Sequence, residues 1–300
     1  MKKFTTAFLI LLLTSNFANA IEVRVGKGTF SWQMGIEKFM NADFDLDVKT
    51  ISLANPHDNI SDSKYYYFYD ADLYISSFVN KMTTLMAYPI TYDFGNYGSI
   101  NDAIADYTKL PLPSDYKVAG FDLDFGLGYD LYHDKNGYFG VGVITGFSMP
   151  VMKMKNLIKS AKLTYQILDK TDTTILTYKI GLGLNAGVAL SDSVMLQANA
   201  GYAYQTGHID NDWFKSSFDV NGHYSYYNIA LKYKPFEKKG KFAGINFEHQ
   251  LYFTFGYSYK SWHVDEAKVN MFNIFKAKTF GICHTKFSNS QVYMGVGYNF

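Results

Sequence analysis

FDLDFGLGYDLY, residues 121–132, alternates without a break. Phe121, Leu123, Phe125, Leu127, Tyr129 and Leu131 share one face of an extended strand, and Asp122, Asp124, Gly126, Gly128 and Asp130 share the other. A strand washed by water on its second face would carry Lys, Glu, Thr and Ser there. Asp and Gly instead suit a crowded, hydrated interior, which places the apolar face on the outside.

The same pattern recurs on either side. The turn Asp134-Lys135-Asn136-Gly137 ends in Asn-Gly, the strongest short hairpin signal, and leads into YFGVGVITGF, residues 138–147. There Phe139, Val141, Val143 and Phe147 oppose Gly140, Gly142 and Gly146. LTYKIGLGLNAGVAL (176–190) sets leucines and Ile180 against Lys179, Gly181, Gly183, Asn185 and Gly187. It turns at Ser191-Asp192-Ser193 into VMLQANAGYAY, 194–204. YYNIALKY (226–233) turns through 237–240 into 242–259, and a last hairpin is expected at Ser288-Asn289-Ser290. The N-terminal third reads as strands over 22–36, 44–54, 64–79 and 82–95. Residues 98–110 and 151–168 read as short helices in connections. The expectation is an all-β closed antiparallel transmembrane β-barrel of about 10–12 strands with short helical segments.

Composition agrees. Of 300 residues, 26 are Tyr, 25 Phe and 24 Gly against 6 Pro, an excess that favours strands. After residue 20 no run approaches the length of a spanning helix. Cys283 is the single cysteine, so no intramolecular disulfide can form, and a formal charge of +1 gives no attraction to nucleic acid. The seven histidines are scattered and none forms a ligand spacing with Cys283; neither a metal nor another cofactor is expected. MKKFTTAFLILLLTSNFANA opens with Lys2 and Lys3, continues through apolar Phe8 to Leu13 and ends on Ala18-Asn19-Ala20. These are the parts of a cleaved signal peptide, giving a signal at 1–20 and one barrel domain at 21–300.

Repeated apolar faces of this size need a partner layer, and no apolar helix is left to supply one. Lipid can supply it, with closure satisfying the backbone groups that hydrocarbon cannot. Tyr202, Tyr204, Tyr257, Tyr259 and Tyr298 suit interfacial girdles. In the terminal QVYMGVGYNF, Val292, Met294, Val296, Tyr298 and Phe300 fall on one face. A last strand ending in Phe with this alternation resembles the closing strand of Gram-negative outer-membrane β-barrel proteins, and its GVGY is similar to small barrels of the outer-membrane protein A and X type. That resemblance implies an integral outer-membrane location and contact with outer-membrane lipid and lipopolysaccharide. It also implies that these five residues act as a signal to the barrel assembly machinery. With Phe300 at the periplasmic rim, the expected turns at 133–137, 191–193, 235–241 and 288–290 lie outside and the longer connections lie in the periplasm, the reverse of the usual asymmetry.

The expected lumen-lining residues are Asp122, Asp124, Asp130, Lys179, Asn185, Gln197, Asn199, Asn228, Lys232, Glu248 and Gln250. Opposite charges inside a barrel either lock it or line a channel. The functional expectation is accordingly a non-enzymatic protein, either a small-solute channel or a structural, surface-contact barrel. The alternative rests on His223-Tyr224-Ser225, whose His and Ser share an outward face with Tyr227 and Ile229. This resembles the His-x-Ser of outer-membrane phospholipases and lipid A deacylases, although Tyr226 stands where those enzymes have Asn.

Overall fold

In a computed structural model, residues 20–36, 40–60, 63–85, 110–156, 171–211, 216–235, 240–242, 245–247, 251–270 and 280–299 are described. The main strands are β1 (Ala20–Ile36), β2 (Met40–Asn59), β3 (Tyr65–Ser76), β4 (Val79–Leu85), β5 (Leu110–Asp134), β6 (Gly137–Asn156) and β7 (Thr171–Ser191). They continue with β8 (Val194–Asn211), β9 (Ser216–Tyr233), the two short strands β10 (Gly240–Phe242) and β11 (Ile245–Phe247), β12 (Leu251–Asn270) and β13 (Phe280–Asn299). All pairings are antiparallel, and β1 joins both β2 and β13, so the sheet closes. β3 and β4 occupy one position between β2 and β5 in succession, which makes a barrel of ten strands. β10 and β11 pair only with each other.

Three expectations are corrected. No helix occurs among the described residues: 151–156 continues β6, while 98–109 and 157–168 lie outside them. The strand read at 242–259 begins at Leu251, after the small β10–β11 hairpin. Most consequential, Ser288-Asn289-Ser290 is no turn. All three residues pair within β13, opposite Ser31, Phe30 and Thr29 of β1, because a Ser/Asn cluster between two alternating runs can also continue a strand.

Removing that hairpin reverses the topology. The β5–β6 and β7–β8 turns now share an end with Ala20 and Asn299, and the connections between β6 and β7, β8 and β9, and β12 and β13 all lie at the other. The tight β5–β6 and β7–β8 turns fall at the end of the closing strand, as is usual in such barrels, and the connection at 234–250, which carries β10 and β11, lies at that end too. Of the N-terminal strand, only Ala20 of the expected signal segment is described; residues 1–19 and Phe300 lie outside the described set.

Except for β3 and β4, the barrel strands run 17 to 25 residues. A bilayer needs only about 9–11. The surplus shows in a change of polarity along each strand. In β1, Val23 and Val25 are exposed outside while Glu22 and Arg24 are buried inside; eight residues on, Phe30 and Trp32 are buried inside, and Gln33 is exposed outside. β2 repeats this in reverse order, with Phe44, Leu46 and Val48 inside near its start, then Thr50 and Ser52 inside against an exposed Ile51. The half holding the turns is therefore apolar outside, suited to lipid. The half holding the longer connections has a water-protein arrangement, with Phe30, Trp32, Phe44, Tyr116, Trp262 and Phe287 in an internal apolar core. Trp262 and Phe287 stack there at 5.0 Å, and Lys49, Lys153 and Lys286 are exposed outside.

Candidate functional site

Where the two halves meet, charged side chains fill the lumen. Asp70 and Asp72 of β3 stand in register with Asp124 and Asp122 of β5. Like charges directly opposite across two strands repel, so the arrangement needs cations between them. Lys179 of β7 puts its Nζ 2.7 Å from Asp122 and 2.6 Å from Asp124. Lys260 of β12 reaches all four carboxylates, at 2.7 Å from Asp122, 2.8 Å from Asp72, 3.4 Å from Asp124 and 3.6 Å from Asp70.

Neutral donors complete the layer. Ser148 Oγ donates to Asp122 and accepts from Trp262 Nε1 at 2.6 Å, which ties the charges to the apolar core. Tyr224 OH donates to Asp124 Oδ2 at 2.7 Å, and its ring lies 3.8 Å from Lys179 Nζ. Toward the turns, Arg24 Nε donates to Glu22 Oε1 at 2.6 Å, which also accepts from Thr254 at 2.6 Å. Buried charges persist only when paired and hydrogen-bonded in this way.

A second constriction lies nearer the turns. The ladder between β2 and β3 breaks at Asn55–Asp58, and the bulge carries Pro56 and His57 inward. The His57 ring stacks on Tyr138 at 3.7 Å and lies 4.6 Å from Tyr66, while Asn199 Nδ2 donates to the Pro56 carbonyl at 3.2 Å. Asp130 is enclosed by His57 at 3.0 Å, Asn59 at 2.8 Å and His133 at 2.9 Å. Inward glycines make room for these rings. A Cβ on Gly128 would lie 2.2 Å from Tyr66 Cζ, and one on Gly187 2.4 Å from Tyr138 Cε1.

Of the residues singled out from sequence, Asp122, Asp124, Asp130, Lys179, Asn185, Gln197, Asn199 and Asn228 are buried within the barrel. They divide into groups: the first two and Lys179 meet in the charged layer, Gln197 donates to Tyr138 at 3.1 Å, and Asn228 accepts from Tyr293 at 2.7 Å. Lys232 is half-buried near the turn end, its Nζ 3.6 Å from the centre of the Tyr252 ring. Glu248 and Gln250 lie outside the described residues. His223 and Ser225 face outward and are half-buried; the His223 ring lies 4.6 Å from that of His263 and 5.6 Å from Tyr202. Val292, Met294 and Val296 are exposed on the outer wall, with Tyr298 half-buried.

Sequence reading missed Asp70, Asp72, Lys260, Glu22, Arg24 and the Pro56-His57 bulge. A signal existed for the first two: YDAD in β3 repeats the i, i+2 carboxylates of FDLD in β5. Lys260 was hidden by ending its strand at Tyr259, one residue short.

No family model matches the chain, and no curated protein does. Solved structures do. The outer-membrane protease OmpT from Escherichia coli superposes with a TM-score of 0.53 at 10% identity, over 94% of this chain and 97% of that one. Neisserial surface protein A gives 0.30 at 9% identity (94% and 99%), and the Pseudomonas putida toluene transporter TodX gives 0.26 at 10% identity (94% and 90%). At 10% identity the likeness to OmpT concerns the fold alone, and it agrees with the closed antiparallel barrel: the chain has the fold of an outer-membrane β-barrel. It also corrects the expectation of a non-enzymatic protein. OmpT is a protease, so a barrel of this fold can carry catalysis, and the fold gives no ground for excluding it.

Proposed function

We propose that this outer-membrane β-barrel acts at its far rim, as a surface-contact protein presenting the connections opposite its turns, and that it is no diffusion channel for small solutes. The filled lumen carries the reading. The charged layer has Lys260 spanning all four carboxylates, and the cavity beside it, bounded by Arg24, Asp70, Asp124 and Asn228, measures about 20 Å³. One water needs some 10–15 Å³ by the same kind of measure, so that cavity admits no hydrated solute. The water-facing half supports the reading from the other side. Its internal apolar core holds the strands together where no lipid surrounds them, and so carries the rim clear of the membrane. Planar-bilayer recording on the purified protein tests this: the expected outcome is no steady conductance step, and a reproducible ohmic step would overturn it.

A further inference from the structure

Around the charged layer the carboxylates of Glu22, Asp70, Asp72, Asp122 and Asp124 meet three cations: Lys179, Lys260 and Arg24, which pairs with Glu22 at 2.6 Å and lies 3.8 Å from Asp70. Two negative charges are thus in excess inside the lumen, where an unbalanced buried charge is costly. The 20 Å³ cavity adjoins that excess, bounded by Arg24 as well as by Asp70, Asp124, Asn199 and Tyr226.

The oxygens of the cavity wall are a separate observation. Asp70 Oδ1, Asn199 Oδ1 and Tyr226 OH are buried and have no hydrogen-bond partner among the described residues. Asn199 is 7% exposed, and its amide nitrogen is committed to the Pro56 carbonyl, which orients the free oxygen. A buried acceptor without a partner is costly. Such acceptors beside excess negative charge favour a positive guest over a neutral one.

We propose that this cavity binds one small hard cation of the alkali or alkaline-earth group, held by the carboxylates of Asp70 and Asp124 with the amide oxygen of Asn199 and the hydroxyl of Tyr226. Carboxylate and amide oxygens suit hard cations, and the absence of sulfur or imidazole from the cavity wall disfavours the softer transition metals. The cation lies between Asp70 and Asp124, which face each other across β3 and β5, and so adds to the partial relief of their repulsion by Lys260 at 3.6 and 3.4 Å, by Arg24 at 3.8 Å from Asp70 and by Lys179 at 2.6 Å from Asp124. It acts as a third cationic cross-link of the layer.

Thermal unfolding of the full chain, refolded in detergent, tests this at fixed ionic strength with sodium, potassium, calcium or magnesium chloride against tetramethylammonium chloride, whose cation is too large for the cavity. The midpoint is expected to rise saturably with at least one small cation. Asp70→Asn should weaken that response at least tenfold while raising the midpoint in tetramethylammonium, since it removes one repelling charge. Tyr226→Phe, which alters no charge and removes only a hydroxyl without a partner, should weaken the response with little change in tetramethylammonium, and it serves if Asp70→Asn does not fold. Equal midpoints in all salts, or small-cation responses unchanged in both variants, would overturn the proposal.

Discussion

The two halves of this barrel use the same backbone and opposite chemistry. Toward the turns, Leu182 and Met294 are more than half exposed to the outside while Glu22, Arg24 and Lys179 are buried within. Toward the longer connections, Trp32, Phe44 and Phe287 are buried within, and Gln33, Lys153 and Lys286 lie outside. No strand slips register to achieve the change in β1; the polar and apolar positions exchange faces within one unbroken ladder. The solvent on each side of the wall thus decides which residues stabilise it. Alternation alone shows that a wall exists, and the sign of the alternation shows what bathes it.

The comparison breaks most sharply at the layer between the halves. Lys260→Ala should cost on the order of 3–5 kcal/mol, because it leaves carboxylates buried without their shared cation. The expected readout is a large fall in the urea midpoint of the folded form in detergent. An unchanged midpoint would mean that Lys260 is not what holds the carboxylates of the layer together.

One substitution placed in each half sharpens the contrast. Leu182→Lys, at the most exposed apolar side chain of the outer wall among the described residues, should cost about 2–4 kcal/mol in bilayer refolding measurements. Gln33→Lys, outward on the water-facing half, should stay within about 0.5 kcal/mol. Similar costs at both sites would remove the boundary drawn between lipid and water. The smallest effect belongs to the exposed Lys153–Asp172 pair, at 3.0 Å on the water-facing wall. Asp172→Asn should shift stability by less than about 1 kcal/mol and lose even that in high salt. A larger, salt-resistant loss would place this pair in a low-dielectric setting.

Much of the fold was legible in the sequence because period-two alternation is local. FDLDFGLGYDLY identified β5, its faces and its inward carboxylates, and the Asn136-Gly137 turn located the hairpin to β6. The exchange of faces was also written there, since Glu22-Arg24 and Phe30-Trp32 of β1 occupy the same parity. It escaped because alternation was read as one uninterrupted membrane signal. Ser288-Asn289-Ser290 misled for a related reason. Turn propensity is a local preference, and the ladder with β1 and β12 overrides it where all three residues find partners on both sides.

By itself the sequence determined that the chain makes long alternating strands, which faces are apolar and that the interior carries both signs of charge, because each follows from side-chain chemistry and the geometry of one strand. The tertiary structure decided that ten strands close, that Asp70 meets Asp124 and Asp72 meets Asp122, and that Lys260 reaches across to all four. It also decided that Pro56 and His57 bulge inward beside Asp130. Each of these depends on register between segments up to hundreds of residues apart. Register is set by the whole closed ring of backbone hydrogen bonds, which no single stretch contains.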